Sequence, residues 1–520
     1  MTTISFGPFL GINNRRPNFD LHVAREGDFL ETANNVDVDN AGHLRSRPGV
    51  TLIQAMSNAH SLFLTSDTSG YLVRSGSLYA ITLPTYTETL VKVLSVNTTV
   101  SYALYGGEVY CSNTTQTFRL VGSSYFPMSL PTPSAPGLAA TTGGLLEGHY
   151  QVAVSYVNTT TGEEGGISSS TTITLASTGG IVVTLPASTE GATHINVYLS
   201  QANGSVTYLK TTVAVGTAAY TVTALATGRE ETGRFEIPLP AGTLFVHNGK
   251  LCSFSGSTVY LGLPYRPGYC LAVDGYIPFP STVSNAISGQ NGIYVVADKT
   301  YWIPDEGTIV DVLPYGGVAG TAFTIPNSSS VGWFGTKGVV IGDIQGNVKA
   351  VMSDAITLTP PSSGFSVVFE GEYRKVVSCN WCVNLDTGAA TTYSAWDMTS
   401  ASRNYGTKTD GLYSTNGSGD VYATVSLGDL KLGDSQIKMV PNAYLGFTST
   451  SELRITIRPE GGTQYTYDTR SASSDLLMQR VDMGRGLRAT WFEATISNPS
   501  GEAFILASVI FSVYSSKRKI

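Results

Sequence analysis

Cys379-Asn-Trp-Cys382 carries the plainest chemical spacing in the chain, since CxxC is half of a zinc centre or a dithiol redox pair. It lies in the apolar run KVVSCNWCVNL (375–385), which reads as one strand, and there residues i and i+3 face opposite ways. No second CxxC and no βαβ context accompany it, so the expectation is buried structural thiols, with a labile metal site or disulfide as the alternative. Asp37-Val-Asp39-Asn-Ala-Gly42 imitates the first half of a calcium loop, but the twelfth position is Pro48 where a bidentate Glu is needed. A hairpin is the expectation there.

The six histidines, His22, His43, His60, His149, His194 and His247, form no HExxH and no paired-ligand helix, so a metalloenzyme finds little support. GxSxG, P-loop and strand-to-helix GxGxxG patterns are missing, as are the helices that would carry them. Two adjacent acid pairs, Glu163 with Glu164 and Asp305 with Glu306, would serve a glycosidase only if folded partners stood opposite them. They read as solvated turn residues. The chain is therefore expected to be no enzyme, with no catalytic, cofactor-binding or metal residue assigned and no cofactor.

What could position such residues follows from composition. The 520 residues suggest three or four domains, and 56 Gly with 23 Pro punctuate the chain too often for long helices. Charged residues are only 13%, about half the usual ~25%, while hydrophobic residues make up 42%, which suits an assembled β protein that hides much of its surface. A net charge of -7 argues against tight nucleic-acid binding by phosphate neutralisation. Five cysteines, Cys111, Cys252, Cys270, Cys379 and Cys382, are too few and too odd for a disulfide framework. The start lacks signal-peptide character, and apolar stretches such as 504–511 are too short to span a membrane as a helix, so no membrane span is expected.

Period-two alternation dominates the local pattern. Leu453, Ile455 and Ile457 alternate with Arg454, Thr456 and Arg458, which predicts a half-buried strand. One short helix is predicted, from Glu26 to Asn34, with Leu30 and Ala33 on one face. A turn-plus-strand element recurs at Gly76, Gly107, Gly249, Gly292 and Gly338, at spacings of 31, 142, 43 and 46 residues. Removing the piece 132–228 brings the long spacing to about 45, within the range of four-stranded propeller blades.

That inserted piece starts at the Pro-rich PTPSAPGL and then alternates short strands with TTGEEGG, STGG and QANG turns. Its length and pattern resemble a fibronectin type III module. The expected fold is thus all-β: a split β-propeller with an inserted fibronectin type III-like sandwich and a C-terminal β-sandwich. The expected divisions are an N-terminal segment with the short helix and a hairpin (1–44), the first part of the propeller (45–131), the insert (132–228), and the second part of the propeller (229–358). A β-hairpin region that closes the propeller or links domains (359–418) and the C-terminal sandwich (419–520) complete the chain. Lys517, Arg518 and Lys519 read as a solvated tail.

GINNRRP (11–17) and AREGDFLETANNVDVDNAGHLRSRPG (24–49) resemble the opening of tail nozzle or hub proteins of short-tailed bacteriophages, also described as packaged-DNA-stabilising tail proteins. CNWCVNLDTG, KMVPNAYLGFTS and RVDMGRGLRATWFEATISNPSGEAFILASVIF extend the likeness to the far end. The resemblance implies a virion structural protein of the tail, assembled in the host cytoplasm. It further implies a homo-oligomeric ring, commonly a hexamer, that extends the portal channel, retains packaged DNA and conducts it during ejection. Implied partners are a portal-adaptor or head-to-tail connector ring, a tail fibre or needle/plug protein, and transiently the genomic double-stranded DNA. Channel-lining residues cannot be named from sequence. The alternative is a receptor-binding or adhesin-like tail protein that recognises a host surface glycan, with the Tyr-rich loop Tyr265 to Tyr269 as a compatible feature.

Overall fold

The computed structural model describes residues 2–22, 27–433, 436–470, 472–484 and 486–515. The fold is all-β, a split β-propeller with an inserted two-sheet sandwich and a C-terminal sandwich, and among the described residues the helical content is one 3-10 turn, Asn18–Asp20. Lys517, Arg518 and Lys519 lie outside the described residues. Two compact units divide the chain: Met1–Ser75, Ile81–Glu88 and Gly289–Ile520 form one, and Gly76–Ala80 with Thr89–Ser288 form the other.

In the second unit, Ser101–Tyr105, Glu108–Ser112, Thr117–Val121 and Ser124–Pro127 make a four-stranded antiparallel meander. Thr243–His247, Lys250–Ser255, Thr258–Tyr260 and Tyr276–Pro278 make another. Their first strands adjoin, with Leu244 N donating to Ser101 Oγ (2.9 Å) and Ala103, Tyr110, Leu244 and Leu251 sharing one core. The sandwich between them in sequence is thus an insertion between neighbouring blades. It pairs Gly137–Leu145, Gly179–Thr184 and Ala219–Val222 in one sheet. His194–Ser200 and Thr207–Ala214 extend a second sheet from Gly148–Asn158. Tyr150, Val152 and Val154 meet Ile181, Val183 and Val222 in the core between the sheets.

The first unit holds the C-terminal sandwich and most strands of the remaining meanders, while Asn285–Ser288 and parts of Ser77–Thr82 and Thr87–Val93 fall in the second. First strands again adjoin in sequence: Phe323–Thr324 with Ser366–Phe369, Ser366–Phe369 with Ser400–Ser402, and Ser400–Ser402 with Ala59–Leu64. Ser400 and Ser402 hydroxyls accept from the Leu62 and Leu64 amides at 2.8 and 3.1 Å. The meander Ser400–Ser402, Tyr405–Lys408, Gly411–Gly417 takes its fourth strand, Gly49–Ala55, from near the start of the chain.

One expectation changes. The predicted helix from Glu26 to Asn34 is a pair of strands, Asp28–Leu30 and Thr32–Asn34, with Glu26 outside the described residues. Asp28–Leu30 pairs with Phe9–Ile12 and Thr32–Asn34 with Thr424–Leu430. Both apolar residues, Leu30 and Ala33, are buried in the sandwich core, and long-range pairing overrides a two-residue helical stripe. The other strands near the start also pair with distant partners. Thr2–Phe6 pairs with Phe504–Ser515, and the hairpin Val36–Val38/Leu44–Ser46 joins the same sheet. Within 359–418, Ser366–Phe369 to Ala390–Thr392 continue through Thr32–Asn34 into Thr424–Leu430, Phe492–Ser497, Arg454–Pro459 and Tyr465–Asp468. One nine-stranded sheet thereby belongs to both meander and sandwich.

The alternating stretch behaves as its pattern dictates. Leu453, Ile455 and Ile457 are fully buried, while Arg454 and Arg458 face outward to Asp468 and Glu493. The repeat is half structural: Gly107, Gly249 and Gly292 open second strands of their meanders, whereas Gly76 and Gly338 open third strands. Only the first three mark a true blade period.

Candidate functional site

Two of the motifs that carry the resemblance meet in the first unit. In the first, Asp39 Oδ1 accepts from the amides of Ala41 and His43, both at 2.9 Å, and Gly42 takes φ +79°. This Asx-type turn closes the hairpin Val36–Val38/Leu44–Ser46, so the calcium-loop imitation is a hairpin. In the second motif, Cys379 and Asn380 both have positive φ (51° and 65°), which makes a two-residue hairpin turn between Lys375–Ser378 and Trp381–Asn384. CxxC therefore spans a turn and does not lie within one strand, a correction that Asn380 explains, because Asn tolerates the left-handed region. The next turn, Leu385 to Gly388, is built by Asn384 Oδ1, which accepts from Asp386 N (2.9 Å) and Thr387 N (3.1 Å).

Between these hairpins sits a buried charge. Asp37, 2% exposed, accepts from Lys375 Nζ, Tyr393 OH, Tyr373 OH (3.0 Å) and the Cys382 thiol (3.1 Å). Burial pushes its carboxyl up, but the charge of Lys375 and the bonds from Lys375, Tyr393 and Cys382 outweigh it and hold it below its ordinary value. Burial, with Asp37 adding to it, drives the Cys382 thiol and the Tyr393 phenol well up, so both stay protonated and act as donors. Cys382 thus serves as a neutral donor to a carboxylate, and burial also raises the thiol pKa of Cys379. Further bonds lock the motifs together, from Asn384 Nδ2 to Val38 O (2.9 Å) and from Thr391 Oγ1 to Val36 O (2.6 Å).

This node forms one wall of a cavity of about 500 Å³. Arg47 crosses it with Nε on Asn35 Oδ1 (2.9 Å), Nη1 on Pro48 O (3.1 Å) and Nη2 on Ser394 O (3.3 Å). Its guanidinium lies 5.4 Å from the Tyr393 ring centre and 5.7 Å from that of Trp396. Arg45 is held by Asp39 (2.9 Å) and Glu372 (2.8 Å). Two residues that line the cavity, Trp396 and Thr415, each only 4% exposed, carry buried polar atoms, Nε1 and Oγ1, with no hydrogen-bond partner. An unmade bond of this kind costs about 1–3 kcal/mol. None of Phe369, Tyr373, Trp396 and Thr415 was singled out by sequence reasoning. The only local signal was FEGEYRK, where aromatic and charged residues alternate.

The second unit has a cavity of about 440 Å³ that brings together two features noted in sequence, Glu163 and the Tyr265 to Tyr269 loop. Glu163 accepts from Tyr269 OH at 2.7 Å, and Tyr265 is 94% exposed. Glu164 is taken up by Ser155, Tyr198, Arg229 and Asn196 (2.9 Å), which leaves it engaged on all sides. Asp305 and Glu306 sit exposed in a turn. The histidines bond separate neighbours, as with His22 and Leu427 O (2.6 Å), His149 and Thr174 Oγ1 (2.7 Å), and His247 and Ser288 Oγ (2.8 Å). Among the described residues no group of three or more His, Cys, Asp or Glu is placed to hold a metal ion, and no helix is long and apolar enough to cross a membrane.

No family model matches the chain, and no curated protein matches it. Solved structures share it only faintly. The WD40 β-propeller domain of Doa1 is 12% identical, with 63% of this chain and 93% of that one covered and a TM-score of 0.25. An exo-β-1,3-galactanase from Phanerochaete chrysosporium with β-1,3-galactotriose is 10% identical over 89% of this chain and 100% of that one, TM-score 0.22. Dipeptidyl peptidase 4 of Porphyromonas gingivalis is 8% identical over 72% and 54%, TM-score 0.24. Likeness at this level carries no argument about activity.

Proposed function

We propose that the chain is a subunit of a ring at the far end of a short phage tail, a nozzle that extends the portal channel, holds packaged DNA and passes it at ejection. The observation that carries this reading is the union of two of the motifs behind the resemblance. NNVDVDNAGHLRSRPG and CNWCVNLDTG form interlocked hairpins around Asp37. Residues quoted separately from the sequence thus act as one structural device, as expected if they are a family's framework and not chance matches.

Low charge content supports the same reading, because broad subunit contacts favour apolar and aromatic surface over unpaired charge. So does Ser473–Asp482, which ends its sheet and exposes Leu476, Leu477 and Met478. A net charge of -7 suits a wall along which a polyanion slides without tight binding. In this account the protein acts mechanically, without a catalysed reaction. Its neighbours are copies of itself, a connector ring above, and a fibre or needle protein below.

Sedimentation of the purified full chain with particle images tests the reading. Closed rings with an open axis are expected; a monomer across the micromolar range would overturn it.

A further inference from the structure

We propose that the cavity beside Asp37 and Trp396 is a binding site for a neutral saccharide of about two sugar units. The inference rests on the cavity alone and holds whether the chain works as a ring subunit or singly. Its volume of about 500 Å³ falls in the range of small-molecule sites.

Charge decides the ligand class. Three cations line the cavity, Arg45, Arg47 and Lys375, against three anions, Asp37, Glu370 and Glu372. All three cations are already engaged: Arg45 by Asp39 and Glu372, Arg47 by Asn35, Pro48 and Ser394, and Lys375 by Asp37 and Tyr393. Glu370 in turn accepts from Asn327 Nδ2 at 3.1 Å. A phosphate or a polyanion gains little from such a wall, whereas an uncharged ligand loses nothing to it.

The remaining groups match a polyol. Phe369 and Tyr373 are half-buried and keep part of their ring surface open, the kind of surface on which the C–H face of a sugar rests. Asn404 and Asn416 are exposed at the same cavity and offer amides that both donate and accept. Trp396 Nε1 can only donate and Thr415 Oγ1 can do either, and both lack a partner. Both atoms are covered in this structure, and binding requires these two side chains to turn so that a hydroxyl-rich ligand supplies an acceptor to the first and either role to the second. A purely apolar ligand leaves both unsatisfied.

The test uses the full chain and saturation-transfer NMR with three disaccharides, lactose, cellobiose and N,N′-diacetylchitobiose, with inorganic phosphate as a competitor. Binding of at least one disaccharide at millimolar concentration is expected. Asn416→Ala, a surface change, and Thr415→Val, which exchanges the hydroxyl for a methyl, should each weaken it at least fivefold. Phosphate should not compete. No binding of any of the three sugars, binding that both variants leave unchanged, or displacement by phosphate would each overturn the proposal. Sedimentation of the same samples reads assembly separately, so loss of sugar binding and loss of ring formation are distinguishable.

Discussion

Lys375→Met isolates the buried pair at the centre of the motif node. The substitution keeps the side-chain volume and removes the ammonium, leaving the Asp37 carboxylate with only neutral donors: Tyr373, Tyr393 and Cys382. Breaking a buried pair on one side costs about 3–5 kcal/mol, and the three remaining donors place this case near 3. With an m-value of about 3 kcal/mol/M in urea, that lowers the unfolding midpoint of the first unit by about 1 M. Because the two units need not unfold together, the transition is best followed by hydrogen exchange in Lys375–Ser378 and Trp381–Asn384. The pH dependence has a definite sign. Asp37 is depressed and Lys375 raised in the fold, so the pair's contribution is full between the unfolded values of about 3.9 and 10.4. It is lost as pH falls through the depressed Asp37 value, or rises through the raised Lys375 value. The difference between wild type and Lys375→Met should therefore shrink as pH falls, beginning above the ordinary carboxylate range, because burial without Lys375 raises the lone Asp37 carboxyl and it takes up its proton before that of wild type. The double variant Asp37→Asn/Lys375→Met should recover most of the loss. A single variant within about 1 kcal/mol of wild type at pH 7, or a difference that ignores pH, would refute the reasoning.

Thr415→Val replaces an unpartnered buried hydroxyl by a methyl of equal size, so thermal unfolding should show a gain of about 1 kcal/mol, while Thr415→Ala should show none. Cys382 should resist alkylation by iodoacetamide at pH 8 in the folded chain, since burial raises its thiol pKa and it donates to Asp37; rapid labelling by mass spectrometry would contradict that account. Gly42→Ala should destabilise by about 1–3 kcal/mol, because φ is +79° and the new Cβ would lie 2.4 Å from Pro8 Cβ. Removing Thr2–Phe6 should destabilise the C-terminal sandwich, seen as faster hydrogen exchange in Phe504–Ser515, its antiparallel partner.

Local pattern was readable wherever one face of a strand is wet. Arg454 and Arg458 mark the outside of their strand as clearly as Ile455 and Ile457 mark the inside. The insert was readable because Pro-rich sequence precedes it and its turns are rich in Gly. What escaped was set by distance along the chain. Thr2 pairs with Val513, and Asn34 with Thr392, and neither partner leaves a trace in the other's neighbourhood. Leu30 and Ala33 misled because an i, i+3 pair fits a helix and also fits two short strands broken at Glu31. The cavity was hidden for the same reason, since Asp37, Trp396 and Thr415 come from separate parts of the chain and only the folded sheets bring them together.

The central claim is most directly tested by electron cryomicroscopy of an intact tailed particle that contains this chain, with its density traced in place. The account predicts a ring on the tail axis, beyond the portal, with a lumen open to a DNA duplex. Density in the capsid wall, or an axis blocked by a folded domain of this chain, would contradict it.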